Sequence, residues 1–296
     1  MEVLSDILRS MRVEGSVYFC DHLQAPWSMD FEDTTSASFH LVRRGVCWVM
    51  SGECTECLGP GDLVFIEPGR DHVLASNPPN QGRPNQDAPP AGTQTLLLCG
   101  YCSFTEETGT PLLDIFPSLT IVREEEILKN PWLKSTLDQL STEYMAQQPG
   151  AELVVNKLTE VVLVELIRIN FGRDDKSRFI RALSDKQIST ALQHLHDNPH
   201  IGWTLEKMAR NVGMSRAAFA KRFKALVGQP MFEYLTVLRV QRAKELLQET
   251  RLPLYEVASR VGYESDLAFT KTFKKHTGAT PTRFRKQAKS SDQTIQ

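Results

Sequence analysis

Over the first hundred residues, apolar and polar positions alternate in short stretches punctuated by Gly and Pro, the period of strands joined by turns. Ser16 to Cys20, Ala37 to Val42, Gly45 to Met50 and Asp62 to Ile66 carry the alternation, and Gln94 to Phe104 returns to it. The pattern predicts an antiparallel sandwich or barrel. Asn77 to Gly92 is rich in Pro, Asn, Gln and Gly, too polar to contribute to a core, and predicts an exposed, mobile loop.

After Pro117 the period becomes helical. Asn130-Pro131 predicts an N-cap followed by proline at the first helical position, with Leu133, Leu137, Leu140 and Tyr144 as the apolar stripe. The next helix, about Ala151 to Phe171, is almost continuously apolar, with Leu153, Val154, Val155, Leu158, Val161, Val162, Leu163, Val164, Leu166 and Ile167. It must be covered on more than one side, by the preceding helix and the sandwich or by a second copy of the chain. Gly172 to Ser184 is charged, begins with a helix stop and predicts a linker.

The last third of the chain contains one pattern twice. Leu205, Ala209, Gly213, Ser215, Phe219, Phe223 and Gly228 recur as Leu254, Ala258, Gly262, Ser265, Phe269, Phe273 and Gly278, offset by 49 residues before the turn and 50 after it. Glu264 is the inserted residue. Each unit reads as a short helix, a turn at Gly, a capping Ser and a second helix with Phe on one face: a helix-turn-helix, present over 205–227 and 254–277. A helix near Asp185 to His196, with Ile188, Leu192 and Leu195 inward, precedes them. Pro230 starts a long connecting helix reaching about Glu249, and a short helix follows Pro281.

At 100° per residue, Phe219 and Phe223 face inward while Ala217, Lys221 and Lys224 face out, flanked by Arg216 and Arg222. In the second unit Leu267, Lys271 and Lys274 face out, flanked by Asp266 and Thr270. The lysines can donate to guanine or phosphate, Ala217 and Leu267 can touch a thymine methyl, and Ser215 and Ser265 at helix N-termini can present backbone N–H groups to phosphate. A connecting helix of about 19 residues spans roughly 28 Å. It could set two recognition helices one DNA turn apart.

Net charge sharpens this division. The whole chain carries −2, but residues 185–296 hold 19 Lys and Arg against 10 Asp and Glu, whereas residues 1–184 hold 15 against 26. A basic excess confined to the repeat is the electrostatic footprint of a double-stranded DNA partner. No apolar run approaches the roughly 20 residues of a membrane span, so a cytoplasmic protein without a membrane partner is expected.

The six cysteines, Cys20, Cys47, Cys54, Cys57, Cys99 and Cys102, all fall in the acidic part. The C-x2-C pairs 54/57 and 99/102 leave three readings open: ordinary thiols, redox sensing, or a four-thiolate zinc site. Against zinc, i and i+3 on a strand point to opposite faces unless Gly100 forms a bulge.

Residues 185–288 resemble the DNA-binding domain of the AraC/XylS family of bacterial transcription regulators. The resemblance rests on Leu205-x3-Ala209-x3-Gly213-Met214-Ser215, Phe219-x3-Phe223, Gly228-x-Pro230, Tyr234-x4-Arg239-x3-Ala243, Val257-Ala258-x3-Gly262-Tyr263 and Phe269-x3-Phe273. It implies base contacts at Ala217, Ala220, Lys221, Asp266, Leu267 and Lys271, and RNA polymerase as a partner. Gly61-Asp62-x5-Pro68-Gly69-x2-His72, with Phe39-His40-Leu41-Val42-x2-Gly45, resembles the cupin sensor domain of one branch of that family, which includes regulators responding to reactive chlorine species. A cupin metal centre takes three His and a Glu. Here His40 and His72 stand in suitable places, so no cofactor is expected, with these two as weak metal candidates.

The expected fold is a two-domain mixed one. An antiparallel β cupin-like barrel (1–105) precedes a helical transmission or dimerisation segment (106–171) and a linker (172–184). An all-α domain with two helix-turn-helix motifs joined by a long helix (185–288) and a disordered tail (289–296) follow. The expected function is that of a non-enzymatic transcription regulator, an activator, controlled by a small molecule or oxidant sensed through His40, His72, Cys54, Cys57, Cys99 or Cys102. A homodimer is compatible with it. The competing expectation is a cupin enzyme or cysteine methyl acceptor fused to a DNA-binding domain.

Overall fold

A computed structural model describes residues 13–32, 35–78, 92–104, 118–173 and 178–292, with Leu4, Ser5 and Leu8 besides, and side chains up to Gln287. Most of the loop expected over Asn77 to Gly92 lies outside these residues. The chain divides into two compact units, whose described parts fall within 13–104 with 118–173, and within 178–292 with Leu4, Ser5 and Leu8.

Among its described residues the first unit has nine strands: β1 (Glu14–Gln24), β2 (Ser28–Phe31), β3 (Ala37–Arg44), β4 (Cys47–Ser51), β5 (Cys54–Leu58), β6 (Leu63–Ile66), β7 (His72–Ala75), β8 (Gln94–Ser103) and β9 (Leu119–Val122). They pair antiparallel in two sheets, ordered β1-β8-β3-β6-β9 and β2-β7-β4-β5. The core between the sheets is formed by alternate residues that the sequence pattern places on one face, among them Val42, Cys47, Val49, Val64, Ile66, Leu74, Leu97 and Cys99. Helices α1 (Glu124–Leu128), α2 (Pro131–Ala146) and α3 (Ala151–Gly172) belong to the same unit, with α3 packed on β1, β8 and α2. The Asn130 side chain caps α2 by accepting from Leu133 N at 3.1 Å, and Leu133, Leu137 and Leu140 are buried as the stripe requires.

Two features differ from expectation in this part. The segment 106–171 is not purely helical, because Leu-Thr-Ile-Val at 119–122 forms β9 on the edge of the larger sheet beside β6; its β-branched residues suit the pleated surface. The apolar helix α3 is covered on one side by α2 and the sheet, while Leu153, Val154 and Val161 stay exposed.

The second unit holds α4 (Arg178–Ser184), α5 (Lys186–Asp197), α6 (Leu205–Asn211), α7 (Arg216–Val227), α8 (Met231–Glu249), α9 (Leu254–Arg260), α10 (Asp266–Thr277) and α11 (Pro281–Asp292). The linker expected over 172–184 is corrected on both sides. Helix α3 ends at Gly172, and α4 buries Phe179, Ile180 and Ala182 completely and packs on α7. The surrounding arginines disguised this short apolar face as linker. The all-α domain therefore begins before residue 185. The tail expected to be disordered over 289–296 is helical to Asp292, and 293–296 lie outside the described residues. Among the described residues, no helix is long and apolar enough to cross a membrane.

Candidate nucleic-acid interface and sensor core

The two repeated units fold as the doubled pattern dictates. Ser215 accepts from Ala218 N at 3.3 Å and Ser265 from Ala268 N at 3.2 Å, capping α7 and α10. Both helices stop at a left-handed glycine, Gly228 and Gly278. Phe219 and Phe223, and their counterparts Phe269 and Phe273, are fully buried, with ring centroids 5.5 and 5.6 Å apart. The opposite face of α7 exposes Arg216, Ala217, Lys221 and Lys224, with Ala220 half-buried. That of α10 exposes Asp266, Leu267, Lys271 and Lys274, with Thr270 half-buried. Leu267 is 86% exposed, a large aliphatic side chain held in water at the front of a helix.

Two of the flanking arginines are already engaged. Arg216 pairs with Glu206 at 2.9 Å across the first turn. Arg222 Nε donates to Asp185 at 2.8 Å, and the same carboxylate accepts from Gln187 N and Ile188 N as the cap of α5. These contacts hold the Asp185 carboxyl below its usual range against the opposing effect of its desolvation, which is the largest influence. Arg222 thus ties α7 to α5, a structural role the helical wheel could not separate from a phosphate contact. Lys221, Lys224, Lys271 and Lys274 project without such pairing among the described residues.

In the first unit, His40 on β3 and His72 on β7 meet between the sheets, Nε2 to Nε2 at 2.9 Å, both buried. Phe31 of β2 stacks on His72 with centroids 4.6 Å apart and planes 6° from parallel. The network assigns the protons. His72 Nδ1–H donates to the Arg70 carbonyl at 3.2 Å, so His72 Nε2 accepts from His40 Nε2–H. His40 Nδ1 is then a buried acceptor with no partner among the described residues. Burial, and then the neighbouring His72, hold His40 well below its usual value, and burial also lowers His72. Sequence reasoning missed Phe31, whose short strand gave no signal long enough to register.

The donor set does not fit a cupin metal centre. It supplies two imidazole nitrogens that already face one another across a hydrogen bond, and no group of three or more His, Cys, Asp or Glu side chains converges among the described residues.

Nor do the cysteines converge. Cys99 lies in the core with Cys47, whereas Cys102 is buried on the opposite face of β8, toward Glu160 of α3. The register runs unbroken along β8, with irregularities only in its partners β1 and β3, so Gly100 makes no bulge. Cys54 and Cys57 likewise alternate on β5. Neither C-x2-C pair closes on one ligand or forms a ready redox pair. Burial pushes the Cys47 and Cys102 thiols up to about 12 and raises Cys99 as well, which makes them poor nucleophiles. Cys57, on the edge strand, is exposed and Cys54 half-buried.

A cupin family model matches residues 2–172 and a helix-turn-helix domain model matches residues 208–287. Over 307 residues the chain is 27% identical to the HTH-type transcriptional regulator AlkR of Acinetobacter baylyi, covering 97% of this chain and 100% of the other. It is 29% identical over 304 residues to a putative AraC-like transcription regulator of Streptomyces antibioticus, covering 97% and 99%. To RclR, the RCS-specific HTH-type transcriptional activator of Escherichia coli, it is 24% identical over 294 residues, covering 98% and 99%.

Proposed function

Because the chain belongs to the family of AraC-type, DNA-binding transcription regulators that carry an N-terminal cupin domain, we propose that its two recognition helices, α7 and α10, read two adjacent major-groove segments while the cupin unit senses the signal. The observation that carries this reading is the matched pair of capped helices, each with phenylalanines sealed inside and unpaired lysines outside. Lys221 and Lys271 donate to base edges or phosphate, Lys224 and Lys274 to phosphate, and the N-termini at Ser215 and Ser265 face the backbone. Leu267 and Ala217 meet thymine methyls; Asp266, Thr270 and Ala220 adjust discrimination. The α10 side carries more of the sequence selection, because α7 presents small alanines.

The chain acts as a regulator and not as an enzyme, in the cytoplasm, with RNA polymerase as its further partner and activation as its sense. The signal is a small molecule or oxidant. Exposed Cys57 supports an oxidant. Thiol labelling before and after hypochlorous acid should show Cys57 blocked ahead of Cys54, with Cys47, Cys99 and Cys102 still thiols that take the label once the protein is denatured; a buried thiol oxidised first would remove the oxidant reading. A homodimer through α3 is supported by Val154, Lys157, Val161, Val164 and Arg168, spaced as a heptad seam on its outer face, three of them apolar.

The test is a titration of DNA against Lys221→Ala plus Lys271→Ala. Each lost phosphate contact flattens the dependence of log affinity on log salt by about 0.9, so the pair should lower the slope by up to about 2 and weaken binding at least tenfold. Unchanged affinity and slope would sink the reading. The number of chains bound per duplex in the same titration decides between monomer and dimer.

A further inference from the structure

The two turns of the repeat are not equivalent. Gly213, at φ +69°, has open space where a Cβ would stand. At Gly262, φ +85°, a Cβ would lie 2.6 Å from the His200 carbonyl oxygen and 2.7 Å from Arg239 Nη2, so this turn is pressed against the rest of the unit and tolerates no side chain.

The group that meets it comes from the middle of α8. Arg239 Nε donates to the Pro199 carbonyl at 2.7 Å and Nη2 to the Ile201 carbonyl at 3.0 Å. Its guanidinium also lies 5.5 Å from the ring centroid of Tyr263, the residue after Gly262. On one side this loop leads into the first helix-turn-helix: the Ile201 carbonyl also accepts from Trp203 N at 2.8 Å, next to Thr204, the cap of α6. On the other side Tyr263 packs on Phe269 of α10, with ring centroids 5.5 Å apart. One half-buried guanidinium therefore joins the entry loop of the first reading unit to the recognition helix of the second.

The position along α8 explains why a joint is needed there. Before Arg239, Tyr234 packs edge-on against Phe223 at 6.0 Å and bonds His196 at 2.7 Å, so this half of the helix belongs to the first core. After it, Val240, Ala243 and Leu247 enter the second core. Two small cores share one helix as a rod, and a rod alone leaves the second core free to tilt. A planar fork with five donors and a face for stacking is suited to clamp two loops at once; a lysine is not.

We propose that Arg239, seated against Gly262, is a positioning residue that sets the distance and rotational phase between α7 and α10 on DNA. The proposal rests on the two-segment reading above. One base pair of displacement rotates a DNA segment by about 34–36°, so two reading heads need a fixed phase.

The test uses the full-length protein and a duplex that it selects from a randomised library. Two further duplexes carry two inserted base pairs between the half-sites, or a scrambled half-site under α10. The wild type should lose about 30-fold on the inserted duplex, the scale of losing a half-site's contacts. Arg239→Ala should bind the scrambled duplex as the wild type does, yet discriminate original from inserted by less than about threefold, since only the coupling is lost. Arg239→Lys and Gly262→Ala should behave alike, the first by losing the fork and the second by displacing it. If Arg239→Ala keeps the wild-type discrimination, or loses the scrambled duplex as well, the residue serves folding alone and the proposal falls. A wild type indifferent to the insertion would overturn the two-segment reading itself, and the joint with it.

Discussion

Phe273→Ala is expected to cost the DNA-binding unit about 3–5 kcal/mol, the range for emptying a buried phenylalanine site. Phe273 is fully buried in a cluster with Val240, Ala243, Leu247, Val257, Ala258, Val261 and Phe269. Its ring also meets Phe269 at 5.6 Å and Phe284 edge-on at 5.5 Å, pairs that add about 0.5–1.5 kcal/mol each beyond their area. The core that loses this ring is small and shared between α8, α9, α10 and α11, so few neighbours can collapse into the gap. Against a typical total of about 5–15 kcal/mol, the loss is about a fifth or more of the unit's stability. Urea unfolding followed by helical circular dichroism measures it, with Lys271→Ala on the outer face of the same helix as a control expected within about 0.5 kcal/mol. A loss below about 1 kcal/mol would mean that Phe273 does not hold α10 in place.

The helix-turn-helix units were legible because their boundaries are written locally. Serine caps, glycine stops and phenylalanines one turn apart fix α7 and α10, the glycine turns at 213 and 262 close α6 and α9, and the observed ends follow the repeat to within a residue. Strand pattern located β1, β3, β4, β6 and β8 for the same reason, since each alternates over enough residues to be counted. What stayed hidden depends on partners distant in the chain. Phe179 and Ile180 read as a charged linker until α7 covers them. Leu119 to Val122 reads as the lead-in to a helix until β6 pairs with it. Arg239 stands in the recognisable pattern around α8, yet its meaning lies in carbonyls at 199 and 201 and a tyrosine at 263, none of which leaves a local signal. His40 and His72 were singled out from sequence, but the bond between them, and the missing partner of His40 Nδ1, are consequences of sheet pairing.

That bond makes the cupin unit sensitive to acid, with a definite sign. Both imidazoles are held neutral: burial and the facing ring keep His40 well below its usual range, and His72 is lowered by burial while the Arg70 carbonyl and the charge of Asp71 partly restore it. A group whose folded value lies below its unfolded one binds fewer protons in the folded state. The stability contributed by the neutral pair is therefore complete above the unfolded value near 6.5 and is lost as pH falls below it, toward the folded values. Two such groups give a limiting slope of about 2.7 kcal/mol per pH unit, twice the 1.36 kcal/mol of one. Protonating His72 at Nε2 also breaks the pair, because that nitrogen can no longer accept from His40, and a second proton on His40 Nδ1 would leave two cations facing each other in an apolar core. Urea unfolding at about pH 7.5, 6.5 and 5.5, read by amide exchange in β3 and β7, should show a steep loss below about 6.5. Reading these strands separates the effect from His276, which is also lowered but lies in the other unit. His40→Leu with His72→Leu should flatten the slope, and both must change together, since removing one ring leaves the other with an unpaired buried nitrogen. If the double variant loses stability with acid as steeply as the wild type, the pair is not the group that titrates.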